Sequence, residues 1–348
     1  MFFASDNAGP AHPVVMDALV AANSGYQMGY GADTIMDEVR ARIREAFEAP
    51  DAMVHLVATG TAANSIILAT MAQPWQTIFC SPMAHIHEDE CNAPEFYSGA
   101  KLTLVPAENA KMTPDALRAS MVGEETRGVH GPQRGPVSIT QVTEKGTVHT
   151  LDEIKALTDV AKDFGVTTHL DGARFANAMV ALGCTPADMT WRAGIDAVSF
   201  GGTKNGLMGV EACVIFNPDL AWEFELRRKR GGHLFSKHRY LSAQMQAYLT
   251  DDLWINMARA ANAACARLAK GLRGAAGVTF AYEPDANIIF FRASRALHRK
   301  VQGGGAVYYV MDGDLDTGAA DEALTGRLVT DWSTTDAAVD QFLSLFDV

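Results

Sequence analysis

Seven short apolar, β-branched runs recur between residues 53 and 217: MVHLVAT, TIFCSP, KLTLVP, VSITQV, VTTHLD, AVSFGG and ACVIFN. Their length and residue types predict buried strands. Stretches with helical spacing separate most of them, including TAANSIILATMA and LDEIKALTDVAKDFG, the second closed by a glycine where a helix would stop. Alternation of this kind predicts an α/β domain built on a mostly parallel sheet. From Ser242 a long helical pattern, SAQMQAYLTDDLWINMARAANAACARLAKGLRG, leads into GVTFAY, NIIFFRA, AVYYVM and RLVTDWS, a run of strands before a last amphipathic stretch. The pattern divides the chain into an N-terminal segment (residues 1–14) contributing to the site, a large α/β domain (15–241) and a smaller α+β domain (242–348). VQGGGA and DGDLDTGAADEALTG read as surface loops.

Composition narrows the functional classes. The 348 residues are about two domains long on a prior of roughly 150 residues each. An apolar share of 48% supports a sizeable core. With 29 Lys plus Arg against 41 Asp plus Glu, the net charge of −12 argues against general affinity for nucleic acid or anionic membranes. Five cysteines, widely spaced and without a C-x-x-C pair, suggest neither a disulfide framework nor a zinc site. The cytosol is the expected compartment, since no signal peptide and no run of about 18 apolar residues is found.

Four motifs carry candidate chemistry. In SFGGTKNG, Lys204 follows a predicted strand in a glycine-rich turn, where strand carboxyl ends face the ligand crevice of an open sheet. It is a functional amine, a phosphate-binding lysine or a solvated turn residue. In THLDGARFANA, Asp171 ends another strand and Arg174 follows. Either the two form an ion pair, or Asp171 holds a protonated ring nitrogen and Arg174 grips a substrate carboxylate with its planar fork. In VATGTAANSI, Gly60 and Thr61 start a helix whose free N–H groups suit a phosphate, the alternative being an ordinary threonine N-cap. In SPMAHIHEDECNAPEF, His85 stacks on a flat cofactor, binds metal together with His87 and an acid, or is a buried structural residue; stacking is preferred and no metal is expected. A phosphate cup, a carboxylate for a ring nitrogen, an aromatic cover and a lysine amine, all at strand ends, jointly describe a pyridoxal phosphate site.

The chain resembles the low-specificity L-threonine aldolases, pyridoxal phosphate enzymes with the aspartate-aminotransferase-like fold (fold type I). The resemblance rests on FASDNAGP, YGAD at Tyr30 to Asp33, ATGTAAN, AHIHEDECNAPEFYSGAKL, HLDGARFANA, LGCTPADMTWRAGIDAVSFGGTKNG and RLVTDWST. It implies that Lys204 is the Schiff-base lysine, Gly60 and Thr61 hold the phosphate, His85 stacks on the ring and Asp171 pairs with its nitrogen. Ser5, Arg174 and Arg327 would hold the substrate carboxylate, and Lys237 would reinforce the phosphate cup. A dimer would be the minimal active unit and a tetramer common, with Tyr30 reaching the neighbouring subunit's site. Many of these aldolases carry a second histidine in the turn that here reads QVTEKGTV, where Glu144 stands instead. That leaves His85, Glu144, a water held by them, or His87 as the catalytic base.

The implied reaction is reversible cleavage of L-threonine, L-allo-threonine or L-phenylserine to glycine and an aldehyde. The rivals are another fold type I lyase, β-eliminating or serine hydroxymethyltransferase-like, and a cofactor-free scaffold. No folate pocket is evident for the hydroxymethyltransferase, and an intact lysine, aspartate and phosphate turn argue against the scaffold.

Overall fold

The computed structural model describes residues 1–346. The expected second unit extends to residue 348, so its last two positions lie outside the described chain. All seven apolar runs become strands of one sheet: β1 Met53–Val57, β2 Gln76–Cys80, β3 Lys101–Leu104, β4 Gln133–Thr140, β5 Thr168–Gly172, β6 Ala197–Gly201 and β7 Glu211–Ile215. Their spatial order is β1-β7-β6-β5-β4-β2-β3. Only β7 runs against its neighbours; the remaining pairs are parallel. Six strands therefore point one way, and their carboxyl ends open on one side. The reversal of β7 has a simple cause. Residues 202–210 are too few for the crossover that a parallel return requires, so the chain turns straight back. Lys204 sits in that turn, which is closed by the Gly202 amide donating to Glu211 Oε2 at 2.7 Å.

Helices α1 Gly60–Met71 and α2 Leu151–Asp163 fall where the spacing places them. A capping box of Thr150 and Glu153 starts α2, and Gly165, at φ +67°, turns the chain beyond its end. The long helical pattern from Ser242 is not one helix. It is split into Arg239–Tyr248 and α3 Leu253–Gly274 by Asp251 and Asp252, both at positive φ. Aspartate tolerates this left-handed region better than most residues, and two in succession stop the first helix. The second sheet, β8 Thr279–Phe280, β9 Ile288–Ser294, β10 Tyr309–Val310 and β11 Ala323–Val329, has the order β8-β9-β11-β10. Two sequence boundaries shift here. The last strand begins at Ala323 rather than Arg327, taking four residues from the expected loop and leaving Asp331–Ser333 in a turn in which Asp331 Oδ1 accepts from the Ser333 amide at 2.8 Å. VQGGGA begins inside helix Arg295–Gly303 instead of forming a loop throughout.

Five apolar clusters result among the described residues, the two largest lying one beside each sheet. Phe47, Phe79, Phe175, Phe200 and Tyr248 lie in the one beside the large sheet. Phe3, Phe291, Tyr308 and Phe342 lie in the other. Helix α3 joins them: Trp254 and Met257 pack into the first, Leu268 and Leu272, farther along, into the second. The first residues add to the second sheet through Phe3, whose amide donates to Val307 O at 2.8 Å and whose carbonyl accepts from the Val329 amide at 2.8 Å.

Burial also sets a pH dependence. Buried His149, His169 and His238 are held near pKa 4 and His55 near 3, burial being the largest cause in each. The unfolded chain takes up these protons below about pH 6.5 and the folded chain does not, so stability falls as pH drops from 6.5. Burial raises Glu144 and Glu211 to about 7, and these act the opposite way between pH 7 and 4.5. Four histidines outweigh two carboxyls, and each uncompensated proton is worth about 1.4 kcal/mol per pH unit. Denaturant midpoints at pH 7, 6 and 5 should fall in that order; a flat series would contradict the balance.

Candidate active site

At the carboxyl ends of the sheet, a cavity of about 310 Å³ is lined by Lys204, His85, Glu144 and Arg174 from the large domain and by Arg327 and Tyr309 from the second sheet. Ser5 and Asn7 of the N-terminal segment close one side. Lys204 follows β6, and its amine pKa is lowered, first by burial and then by the Arg174 charge, against the pull of Asp6, Asp171 and Glu211. An amine so placed loses its proton more easily than a surface lysine and is closer to a nucleophile at neutral pH.

Behind the cavity lies a connected polar network. Asp171, at the end of β5, is buried and accepts from Asn64 Nδ2 at 3.0 Å and from the Ala173 amide at 3.0 Å. Asn64 lies one turn into α1, so the helix opened by Gly60 and Thr61 is anchored directly to Asp171. Ser199 of β6, in register with Asp171, donates to Asn64 Oδ1 at 2.7 Å. On the other side Asn64 Nδ2 reaches Glu90 Oε1 at 2.9 Å, and the same oxygen meets His85 Nδ1 at 2.9 Å. Glu144 comes from the turn after β4, where its Oε1 accepts from the His85 amide at 2.8 Å. Burial, then the Asp171 charge, raises its carboxyl to about 7. Gly146, at φ +86°, lets this turn press against Ile288 of the second sheet, where any Cβ would meet the Ile288 carbonyl oxygen at 2.6 Å.

The possible Asp171–Arg174 ion pair is not formed. Arg174 turns instead to Asp6, with Nε to Oδ2 at 2.7 Å and Nη2 to Oδ1 at 2.9 Å, and both side chains are buried. The reason is geometric: Asp171 is already held by Asn64 and Ala173, while the N-terminal segment brings a second carboxylate to the arginine. This also changes the expectation for Arg174. Its Nε–Nη2 edge is committed to Asp6, so the Nη1–Nη2 edge is the one left for a ligand. The Arg327 side chain makes no hydrogen bond or ion pair within the described residues, and the residue lines the cavity.

Other expected residues lie elsewhere. The N-cap of α1 is Thr59, whose side chain accepts from the Ala62 amide at 3.2 Å, so the N-cap alternative for Thr61 does not hold. Thr61 sits within the first turn. Tyr30 and Lys237 do not line the cavity within this chain. Tyr30 is exposed, with its amide donating to Ser236 O at 3.2 Å and Lys229 Nζ lying 4.9 Å from its ring centroid. Lys237 is exposed beside the same loop. His87 lies on the short helix His85–Glu88, its Nε2 3.8 Å from Glu88. Asp6, Asn64 and Glu90 were not singled out from sequence. Asn64 follows the Gly60 turn by one helical turn, a usable signal, whereas Asp6 is 168 positions from its arginine and carries none.

The beta-eliminating lyase family matches residues 3–296. The low specificity L-threonine aldolase of Pseudomonas aeruginosa is 39% identical over 313 residues, covering 90% of each chain. That of another Pseudomonas species is 38% identical over 338 residues, covering 97% of this chain and 94% of the relative. The chain belongs to the threonine aldolases of this family. A solved Leishmania major threonine aldolase matches 99% of the chain with a TM-score of 0.92 at 26% identity. As a member of the threonine aldolases the protein is a pyridoxal phosphate-dependent lyase. The residues present fit that cofactor. A largely buried amine borders the cavity and has no hydrogen-bond partner among the described residues, an aspartate is fixed by donors one strand away, and a helix N-terminus is tied to that aspartate.

Proposed function

We propose that the protein cleaves L-3-hydroxy amino acids, L-threonine and L-allo-threonine foremost and L-phenylserine as a wider substrate, to glycine and the matching aldehyde. The observation that carries this reading is the convergence of the Lys204 amine, the Arg327 guanidinium and two proton-accepting groups, His85 and Glu144, on one cavity. Lys204 would hold pyridoxal phosphate, Asp171 its ring nitrogen, His85 its face and the Gly60–Thr61 turn its phosphate. When bound, the cofactor supplies a sink for the electron pair released as the Cα–Cβ bond breaks.

Arg327, with the Arg174 edge and the Ser5 hydroxyl, holds the substrate carboxylate and so fixes which Cα bond is aligned for cleavage. His85 or Glu144 takes the proton of the substrate hydroxyl, and the carbonyl fragment leaves as aldehyde. Return of a proton to Cα completes glycine. A hydrophobic pocket separates side chains by only about 1–3 kcal/mol per methylene, which fits a broad substrate range.

Incubation with L-allo-threonine should release glycine and acetaldehyde in equal amounts; a 2-oxo acid and ammonia would instead assign β-elimination. Arg327→Lys should raise KM about 10- to 100-fold with a smaller change in kcat, because an ammonium cannot reproduce a two-pronged charged grip. Steady-state kinetics on L-threonine checks this, and an unchanged KM would remove Arg327 from substrate binding.

The assembly belongs to the same proposal. Tyr26, Met28, Tyr30 and Phe235 are exposed on neighbouring loops, an apolar surface suited to a second copy. In a dimer, or a tetramer built from it, Tyr30 and Lys237 would reach the partner's cavity rather than their own. Cytosolic residence is also proposed: the five cysteines are unpaired, and no helix among the described residues is long and apolar enough to cross a membrane.

A further inference from the structure

We infer that Glu90 is a positioning residue that fixes the tautomer of His85, keeping the proton on Nδ1 and leaving Nε2 as the acceptor for the substrate hydroxyl proton. The last clause rests on the aldolase reading; the tautomer itself does not.

The inference starts from what each group can donate. Carboxylates only accept, so an amide lying between two of them must point its nitrogen at both. Asn64 does so, with Nδ2 3.0 Å from Asp171 Oδ2 and 2.9 Å from Glu90 Oε1, while its oxygen takes the Ser199 hydroxyl. The orientation of Asn64 is thereby settled from both ends. Glu90 Oε1 then receives a second contact, His85 Nδ1 at 2.9 Å, and its other oxygen is buried with no partner among the described residues. Asn64 and the His85 ring are therefore the only side chains in this network that compensate the Glu90 charge. Imidazole is intrinsically the more basic partner, by about two pKa units, so the shared proton belongs on the ring. Nδ1–H donates to Glu90, and Nε2, on the opposite edge of a ring that lines the cavity, keeps its lone pair.

Glu90 itself is raised from its ordinary value, first by burial; the His85 hydrogen bond opposes this, Asp171 adds to it and the Asn64 hydrogen bond opposes it. His85 is raised from its ordinary value, first by the Glu90 hydrogen bond; burial and the Lys204 charge oppose this, and Asp171 adds to it. Glu144, held by the His85 amide, and Asp89 at the cavity wall are the other acids facing this region. The arrangement has the logic of a carboxylate that orients a catalytic histidine without itself taking the proton. It also distinguishes the two candidate bases: Glu144 spends one oxygen on the His85 backbone, whereas Glu90 leaves His85 Nε2 unengaged.

The test labels the histidines of the full-length protein with 15N and follows long-range proton–nitrogen correlations from pH 5.5 to 9, with and without cofactor. His85→Asn assigns the signal. The neutral ring should show the proton on Nδ1. Glu90→Gln, nearly the same shape without the charge, should keep that tautomer while moving the His85 midpoint down by about one pH unit. The acid limb of its kcat/KM profile should move by the same amount. Glu90→Leu should lose the tautomer preference. A proton on Nε2, or an unmoved midpoint in Glu90→Gln, would overturn the assignment whether or not threonine is the substrate. If Glu90→Leu fails to fold, the wild-type tautomer and the glutamine variant still decide.

Discussion

Lys204→Ala gives a protein without the visible absorbance band of the bound cofactor and with turnover reduced by about 10³-fold or more, the scale of removing a positioned nucleophilic and proton-transferring group. Substitution costs little stability, because Lys204 occupies a turn and makes no hydrogen bond within the described residues. The loss should therefore appear in the spectrum and in kcat while the denaturation midpoint stays near that of the cofactor-free parent. Borohydride reduction followed by digestion supplies an independent check: the pyridoxyl adduct should be found on position 204. A band or an adduct surviving in Lys204→Ala would place the covalent link elsewhere and remove the central element of the site.

Asp6→Ala should be the most destabilising single change near the cavity, by about 3–5 kcal/mol, since it leaves the Arg174 charge buried without its partner. Asn287 loses a bond as well, its Nδ2 standing 3.1 Å from Asp6 Oδ2. The double replacement Asp6→Leu with Arg174→Met removes both charges and should recover much of that stability while substrate affinity stays poor. Urea denaturation of the two variants separates the effects. If Asp6→Ala unfolds at the parent midpoint, water reaches Arg174 and the pair is not structural; if the double variant is no better than the single, the cost lies in packing rather than in charge.

The large sheet was legible because buried strands announce themselves as uninterrupted apolar runs, and the turns after them carry the chemistry. Lys204, Asp171 and His85 were found in that way, each a polar residue at or just after the end of such a run, whereas Glu144 was singled out only through the family resemblance. What was not legible depends on distance or on backbone state. Asp6 meets Arg174 only after the whole chain has folded, and no local pattern links them. The break at Asp251 and Asp252 escapes a periodicity argument because the apolar spacing continues on both sides of it. The start of β11 at Ala323 was hidden because its first residues, ALTG, end in a glycine and follow directly on a polar stretch that reads as loop. Glu90 was seen only as one of three consecutive acids; it is the one whose side chain points inward.

The cavity takes Ser5 from the beginning of the chain, Lys204 from its middle and Arg327 from the last strand. During synthesis, then, a nascent polypeptide can emerge with its entire seven-stranded sheet in place and still lack the cationic wall opposite the lysine. The grip on an amino acid is therefore acquired last, at the end of translation, after the residues that would hold the coenzyme are already in place. A ribosome-stalled fragment ending before residue 327 should leave Lys204 open to reagents that the finished protein excludes.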